Sequence, residues 1–293
     1  MVDYVQLLSL GAIAGFTIFL GLPFAVLQNL DSRKKGFLNA VSIGILLFLI
    51  VDVFSHAWNE AGNIAVSAFS GGSSVQDAAA VLVALVAGLA LGLLGLVFYE
   101  SKYMTKTRSV KLEVAGIVQN NSSTNGSSVA SQVQKSRLVN QIDAYRLSMM
   151  IATGIGAHNF SEGLAIGQSY VAGSTGLALL LVIGFGAHNA TEGFGIAGPL
   201  TGLTRRPSGR FLAVVGLIGG GPTFLGTIVG SLWTSMFAYI FFLSIAGGAL
   251  IYVSMLMYNS GRMQTTNQVL MTGIFFGLCA GFLTDLIVRI GGA

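Results

Sequence analysis

Residues 156–163 read GAHNFSEG and residues 186–193 read GAHNATEG, each inside a run otherwise rich in Gly, Ala, Ile and Leu. On a helix, residues four apart and three apart share a face. His158, Asn159 and Glu162 therefore present one imidazole, one amide oxygen and one carboxylate together, and His188, Asn189 and Glu192 repeat the set. Nitrogen and carboxylate donors of this kind suit Zn²⁺, Fe²⁺ or Mn²⁺ better than Ca²⁺ or Mg²⁺. His158, Glu162, His188 and Glu192 would make a four-ligand N₂O₂ site between two helices, with two negative charges to balance one dication. The competing reading is a set of buried polar groups hydrogen-bonding across a helix interface. The chain has only 3 histidines, and two of them fall at matching places in the repeat, which favours the metal reading.

A second series lies earlier in the chain. Asp52, His56 and Glu60 are spaced i, i+4, i+8 along one helix face. They read either as a path by which a cation reaches the site or as ordinary pairing with neighbours at a membrane interface. Asp285 most simply pairs with Arg289 one turn on. The lone Cys279 excludes an intramolecular disulfide and reads as a small buried hydrophobe. GFGIAG at 193–198 matches a dinucleotide fingerprint in letters only, because no strand precedes it. No phosphate-binding G-x-x-x-x-G-K-[ST] occurs, so nothing points to ATP driving.

The elements that carry these residues are built for lipid. Of 293 residues 53% are hydrophobic and 9% charged, with mean hydropathy +0.77; soluble domains have about a quarter of their residues charged. Eight runs reach the roughly 20 apolar residues a spanning helix needs: about 5–29, 37–57, 78–99, 147–169, 176–200, 211–231, 237–258 and 268–290. Long continuous runs exclude a barrel of short alternating strands. The fold class is thus an all-α membrane protein with eight transmembrane helices, one transmembrane domain over 1–293. Gly163/Gly167, Gly216/Gly220, Gly226/Gly230 and Gly277/Gly281 have the spacing that lets helices approach closely.

Every Lys and Arg but Arg289 falls between spans 1 and 2, 3 and 4, 5 and 6 or 7 and 8, or just inside span 4. The positive-inside rule puts these loops in the cytoplasm and both termini outside. The net charge of +4 is therefore a topology signal, not a footprint for nucleic acid. The loop at about 100–145 is rich in Ser, Asn and Gln and reads as a flexible cytoplasmic linker. Its sequons at Asn120, Asn121 and Asn125 would not be glycosylated there. Trp58 and Trp233 fall near the outer interface, as belt residues do.

The paired HNFSEG and HNATEG motifs, the eight runs, the long loop between spans 3 and 4, and SIAGGALIYV at 244–253 resemble the ZIP (Zrt/Irt-like) family of divalent metal transporters, nearest its prokaryotic branches. The resemblance implies transport of a transition metal, zinc first, into the cytoplasm across the cell membrane. It implies a first metal position at His158, Glu162, His188 and Glu192, and a second drawing on Asn159, Glu162, Asn189 and Glu192. It also implies spans 1, 4, 5 and 6 moving against 2, 3, 7 and 8 within a homodimer. Three departures stand out: Gly221-Pro222 replaces a Glu-Pro common in span 6, the long loop has no histidine, and VSMLMYNS lacks a late acidic residue.

The partners implied are a divalent ion and the bilayer, with no cofactor beyond the transported ion. An intramembrane metal-dependent hydrolase is the enzyme alternative. It needs an open metal position for water, yet both carboxylates are used as ligands and no H-E-x-x-H is present. A metal sensor would need a folded soluble domain to signal through. The topology makes a direct prediction: in a Cys279→Ala background, cysteines placed at Ser127 and Ser73 label with impermeant reagent from the cytoplasmic and outer sides respectively. The opposite pattern would invert the transport direction.

Overall fold

The computed structural model describes residues 3–27, 30–120, 126–173, 175–233 and 235–290, with side chains not described at 103–140, 287–290 and a few single positions. These residues form α1 (Tyr4–Phe16), α2 (Ser32–Phe69), α3 (Val75–Asn120), α4 (Gly126–Val171), α5 (Thr175–Ala197), α6 (Gly209–Leu232), α7 (Met236–Gln264) and α8 (Asn267–Ile290). Among the described residues there is no strand. Six stretches are long and apolar enough to cross a membrane: Tyr4–Val26, Arg33–Phe69, Val75–Lys102, Gly209–Leu232, Met236–Met263 and Asn267–Leu286. The chain is a multi-pass membrane protein. The helices carrying the two motifs, α4 and α5, are not among the six.

Helix starts follow local chemistry. Asp3 caps α1, and the Asp31 carboxylate accepts from the Lys34 amide at 2.7 Å to cap α2. Ser74, Ser208, Ser235 and Thr266 cap α3, α6, α7 and α8 in the same way. The expected first span differs in one respect. Its α-helix stops at Phe16 and continues as 3-10 turns over Thr17–Leu20 and Leu22–Val26. Pro23 sits in the second of these turns, and Gly21 lies flat against the backbone of Ala190 and Gly193 on α5. A regular helix here would carry a side chain into that contact.

Beyond the membrane runs, α3 and α4 continue into the region expected as a linker, to Asn120 and from Gly126. The sequons at Asn121 and Asn125 lie outside the described residues.

Glycines set the packing. A Cβ on Gly226 would stand 3.1 Å from Gly163 Cα and Leu164 N, and nearer still to the Phe160 carbonyl. Gly167 meets Ser231 and Gly230 in the same way one turn up, so α4 and α6 run parallel, backbone on backbone. Gly15 meets Gly220 and Gly11 meets Thr227, which makes α1 antiparallel to α6. In a second group, Gly273 lies on Ala40, Gly277 on Gly44 and Gly281 on Phe48, so α2 and α8 run parallel. Gly88 and Gly92 lie on Ser244 and Ile245, pairing α3 with α7. These contacts fall within the two groups that the resemblance implies as moving bodies, helices 1, 4, 5 and 6 and helices 2, 3, 7 and 8, while α4 also packs extensively on α7 across that division. Across it the glycines mostly meet side chains: Gly154 the Ala249 methyl and Leu250, Gly195 Leu46, and Gly198 Ser42.

Cys279 corrects the sequence reading. Gly277 and Gly281 take the contact face of α8, so Cys279 is exposed on the side turned outward with Phe275, Phe276 and Phe282. Trp58 and Trp233 are likewise exposed.

Large side chains at the glycine contacts must force the helices apart. Gly226→Leu is expected to destabilise by roughly 1–3 kcal/mol. Gly62→Ala, at a position with nothing within 4 Å, should hold or gain up to about 1 kcal/mol. Thermal midpoints by fluorescence-detected size exclusion test this; equal midpoints would remove the case for backbone contact at Gly226.

Candidate metal centre

The geometry of the paired motif begins at a turn. Between Val171 and Thr175 the chain reverses through Gly173, whose φ of +82° lies in the left-handed region that glycine adopts without strain. A connection this short makes α4 and α5 antiparallel neighbours. His158 and His188 stand 15 residues to either side of Gly173, so they meet at one depth. Four residues are about 6 Å of helix. Glu162 therefore lies one turn nearer the reversal than the histidines, and Glu192 one turn farther from it.

The side chains follow this geometry. His158 Nε2 is 3.2 Å from Glu162 Oε1 and 4.0 Å from Glu192 Oε1, and His188 Nε2 is 3.6 Å from Glu192 Oε1. The imidazole centroids are 5.8 Å apart. His158, His188 and Glu192 each offer a ligand atom within 4.8 Å of the other two. Glu162 adjoins His158 but falls outside that mutual set, as its turn-higher position requires. All six motif residues are buried, Asn159, Asn189 and Glu192 completely.

Two asparagines hold the set in place. Asn159 Nδ2 donates to Glu192 Oε2 at 2.9 Å and to the Gly219 carbonyl at 3.0 Å. This pins one carboxylate oxygen and turns the other, Oε1, toward both histidines. Asn189 Nδ2 donates to the Ala14 carbonyl at 2.8 Å. That carbonyl lies in the last turn of α1, where helical partners run out. The irregular first span thus supplies an anchor for the second motif. In α6, Pro222 lacks the N–H that would bond the Ile218 carbonyl, loosening the ladder beside Gly219.

With the amide hydrogens so used, acceptors are left over. Both ring nitrogens of His158, together with His188 Nε2, Asn159 Oδ1, Asn189 Oδ1, Glu162 Oε2 and Glu192 Oε1, are buried with no hydrogen-bond partner, His158 Nε2 keeping only its ion-pair contact with Glu162. Buried polar atoms are nearly always partnered, and orphans cost about 1–3 kcal/mol each. A cluster of imidazole nitrogens and amide and carboxylate oxygens so short of hydrogen-bond partners is the pattern a cation would satisfy.

Other residues close the site. Phe48 of α2 lies across the body interface with its ring centroid 6.0 Å from that of His188. Asp52, one turn along α2, has a side chain 16% exposed. His56 Nδ1 is 2.9 Å from the Asp52 carbonyl and 3.5 Å from its carboxylate, with its ring half exposed. Glu60 follows, half buried. The structure therefore joins Asp52 and His56 directly and keeps Glu60 on the same face. Asp285 is described, whereas the side chain of Arg289 lies outside the described residues. Sequence reasoning missed Phe48 and the carbonyls of Ala14 and Gly219. Only Pro222, which marks a loosened α6, hinted at the last.

A search of curated proteins finds no match. The family described as ZIP Zinc transporter matches residues 4–284. That match takes in all six apolar stretches but the last two residues of Asn267–Leu286, and both copies of the motif whose histidines meet at one depth. The chain therefore belongs to the ZIP zinc transporter family, whose members carry divalent metal ions across membranes.

Proposed function

We propose that the protein carries Zn²⁺, with Fe²⁺ and Mn²⁺ as competing cargo, into the cytoplasm without ATP through a site on α4 and α5. The observation that carries this reading is the mutual approach of His158, His188 and Glu192 inside a buried cluster of unpartnered donors. His158, Glu162, His188 and Glu192 are the ligands. Two neutral imidazoles and two carboxylates leave a bound dication neutral, which suits a site with little water. Asn159 and Asn189 orient the set, and their free oxygens lend further coordination.

The levels of the two glutamates suggest an order of travel. Asp52, His56 and Glu60 step outward along α2 from Phe48 and form the path of access. Glu162 meets the ion first, the two histidines next and Glu192 last. Eight spanning helices with both termini outside, working as a homodimer, complete the reading. Side-chain contact between the two bodies supports their sliding past each other, because it breaks without separating backbones. No observation favours the hydrolase alternative.

The decisive experiment is uptake of radiolabelled zinc into liposomes containing the purified chain, alongside iron, manganese and calcium. Glu162→Ala and Glu192→Ala are expected to fall to the level of empty liposomes while still inserting. Asn159→Ala removes the amide that aims Glu192 and the oxygen that lends coordination, while leaving all four principal ligands, and is expected to weaken zinc binding roughly 10–100-fold. Wild-type uptake by a folded Glu192→Ala protein would end the site assignment.

Stoichiometry provides a separate measurement. Two carboxylates balance one dication, and a second ion about 4 Å away would be repelled by roughly 16 kcal/mol at an effective dielectric of 20 before any compensation. One tightly held ion per protomer is expected. A Cβ at Gly221 has nothing within 4 Å, so a side chain can begin there without a clash, and with Gly221→Glu supplying a third carboxylate elemental analysis should rise from one ion to two. Two ions in the wild type, lost on Asp52→Ala, would overturn this account.

A further inference from the structure

At their first turns the parallel helices α2 and α8 no longer touch through glycine. Of the glycine contacts between the two helices, the one nearest their N-termini is Gly273 against Phe37 and Ala40. Below it a groove of about 490 Å³ opens between the helices. Phe37, Leu38, Val269 and Thr272 line it, and Arg33 and Lys34 complete the wall on the α2 side. The groove is continuous with the outward apolar face of α8, where Met271, Phe275 and Phe276 are exposed and Phe276 packs edge-on against Phe37 at 6.0 Å.

Three features of charge coincide at this end. Arg33 and Lys34 are both exposed. The α2 and α8 N-termini point the same way, each carrying the partial positive charge of its helix. Asp31, which caps α2, lies 3.8 Å from Lys34 Nζ in a pair whose side chains are 72% and 60% exposed; such a pair contributes little and leaves the cations in excess. An apolar slot ending in two cations matches an acyl chain joined to a phosphate. A soluble phosphate would have no use for the slot, and a zwitterionic headgroup would bring its own cation against Arg33 and Lys34.

We infer that this groove binds one anionic phospholipid, with an acyl chain along Phe37, Leu38 and Val269 and its phosphate at Arg33 and Lys34. The bound lipid bridges α2 and α8 where their own contact lapses. Basic side chains at a membrane surface contribute about 1 kcal/mol each, so two give a roughly 30-fold preference for anionic over zwitterionic lipid. The inference stands independently of which metal is carried.

The test uses the full chain, delipidated in detergent, with phosphatidylglycerol or phosphatidylcholine of identical acyl chains, or inorganic phosphate. Retained lipid is counted by mass spectrometry and the thermal midpoint is followed in parallel. Phosphatidylglycerol should be retained at one per chain and raise the midpoint, while phosphatidylcholine and phosphate do neither. Arg33→Gln with Lys34→Gln should abolish the preference, Arg33→Lys should keep most of it, and Val269→Trp should lower retention of either lipid. Arg205→Gln with Arg210→Gln controls for general surface charge and should change nothing. Equal retention of the two lipids, a midpoint raised as much by phosphate alone, or an undiminished preference in the Arg33/Lys34 variant would each overturn the inference. So would a preference lost equally in the Arg205/Arg210 variant. If the double variant does not fold, Val269→Trp together with Arg33→Lys still decides it.

Discussion

Holding Glu162 and Glu192 inside an apolar bundle costs roughly 2.5–3.5 kcal/mol for each ionised carboxylate on insertion scales. Much of the surrounding structure is arranged around that cost. Asn159 offsets part of it by donating to Glu192 Oε2. His158 and His188 each lie beside a glutamate one turn along the same helix and offset more. Hydrogen bonds alone do not close the balance, because several buried motif atoms are left without a hydrogen-bond partner. A dication, as proposed, would close it where the two imidazole–carboxylate pairs converge.

The second constraint is steric. Neither body gains a hydrophobic drive from packing in lipid, so close backbone approach must supply the attraction. Glycine supplies it within each body, at Gly163, Gly167, Gly226 and Gly230 in one and at Gly44, Gly273 and Gly277 in the other. Between the two groups the contacts at the glycines include Ala249, Leu250, Leu46 and Ser42, and the Phe48 ring faces His188. The proposed metal site lies at this boundary, with its donors on one group and Phe48 and Asp52 on the other.

The helical class, the apolar runs and the motif residues are plain in the sequence, because an imidazole or carboxylate inside an apolar run is too costly to sit there without a partner. The depth match of His158 and His188 is equally plain, through their equal distance from Gly173. Three things were illegible. Backbone carbonyls leave no letter, so Ala14 and Gly219 could not be named as partners of the asparagines. The break in the first span was hidden because 3-10 turns and α-helix share an apolar composition. Which face of α8 turns outward depended on Gly277 and Gly281 meeting Gly44 and Phe48, a contact between segments over 200 residues apart, and so Cys279 was misjudged.

The choice of asparagine over aspartate in both motifs follows from the same charge balance. An aspartate at 159 would face Glu192 Oε2, now 2.9 Å from the amide nitrogen, and would replace a donor by a like charge. An aspartate at 189 would face the Ala14 carbonyl with no hydrogen to offer. Each change would add a negative charge that one dication cannot cancel, and would remove the hydrogen bond that orients the set. The amide is the group that can donate to the scaffold through one atom and leave an uncharged oxygen over. In the proposed site, neutral orienting groups beside the charged glutamates would keep the loaded state near electrical neutrality, the condition for an ion to enter such a bundle and leave it again.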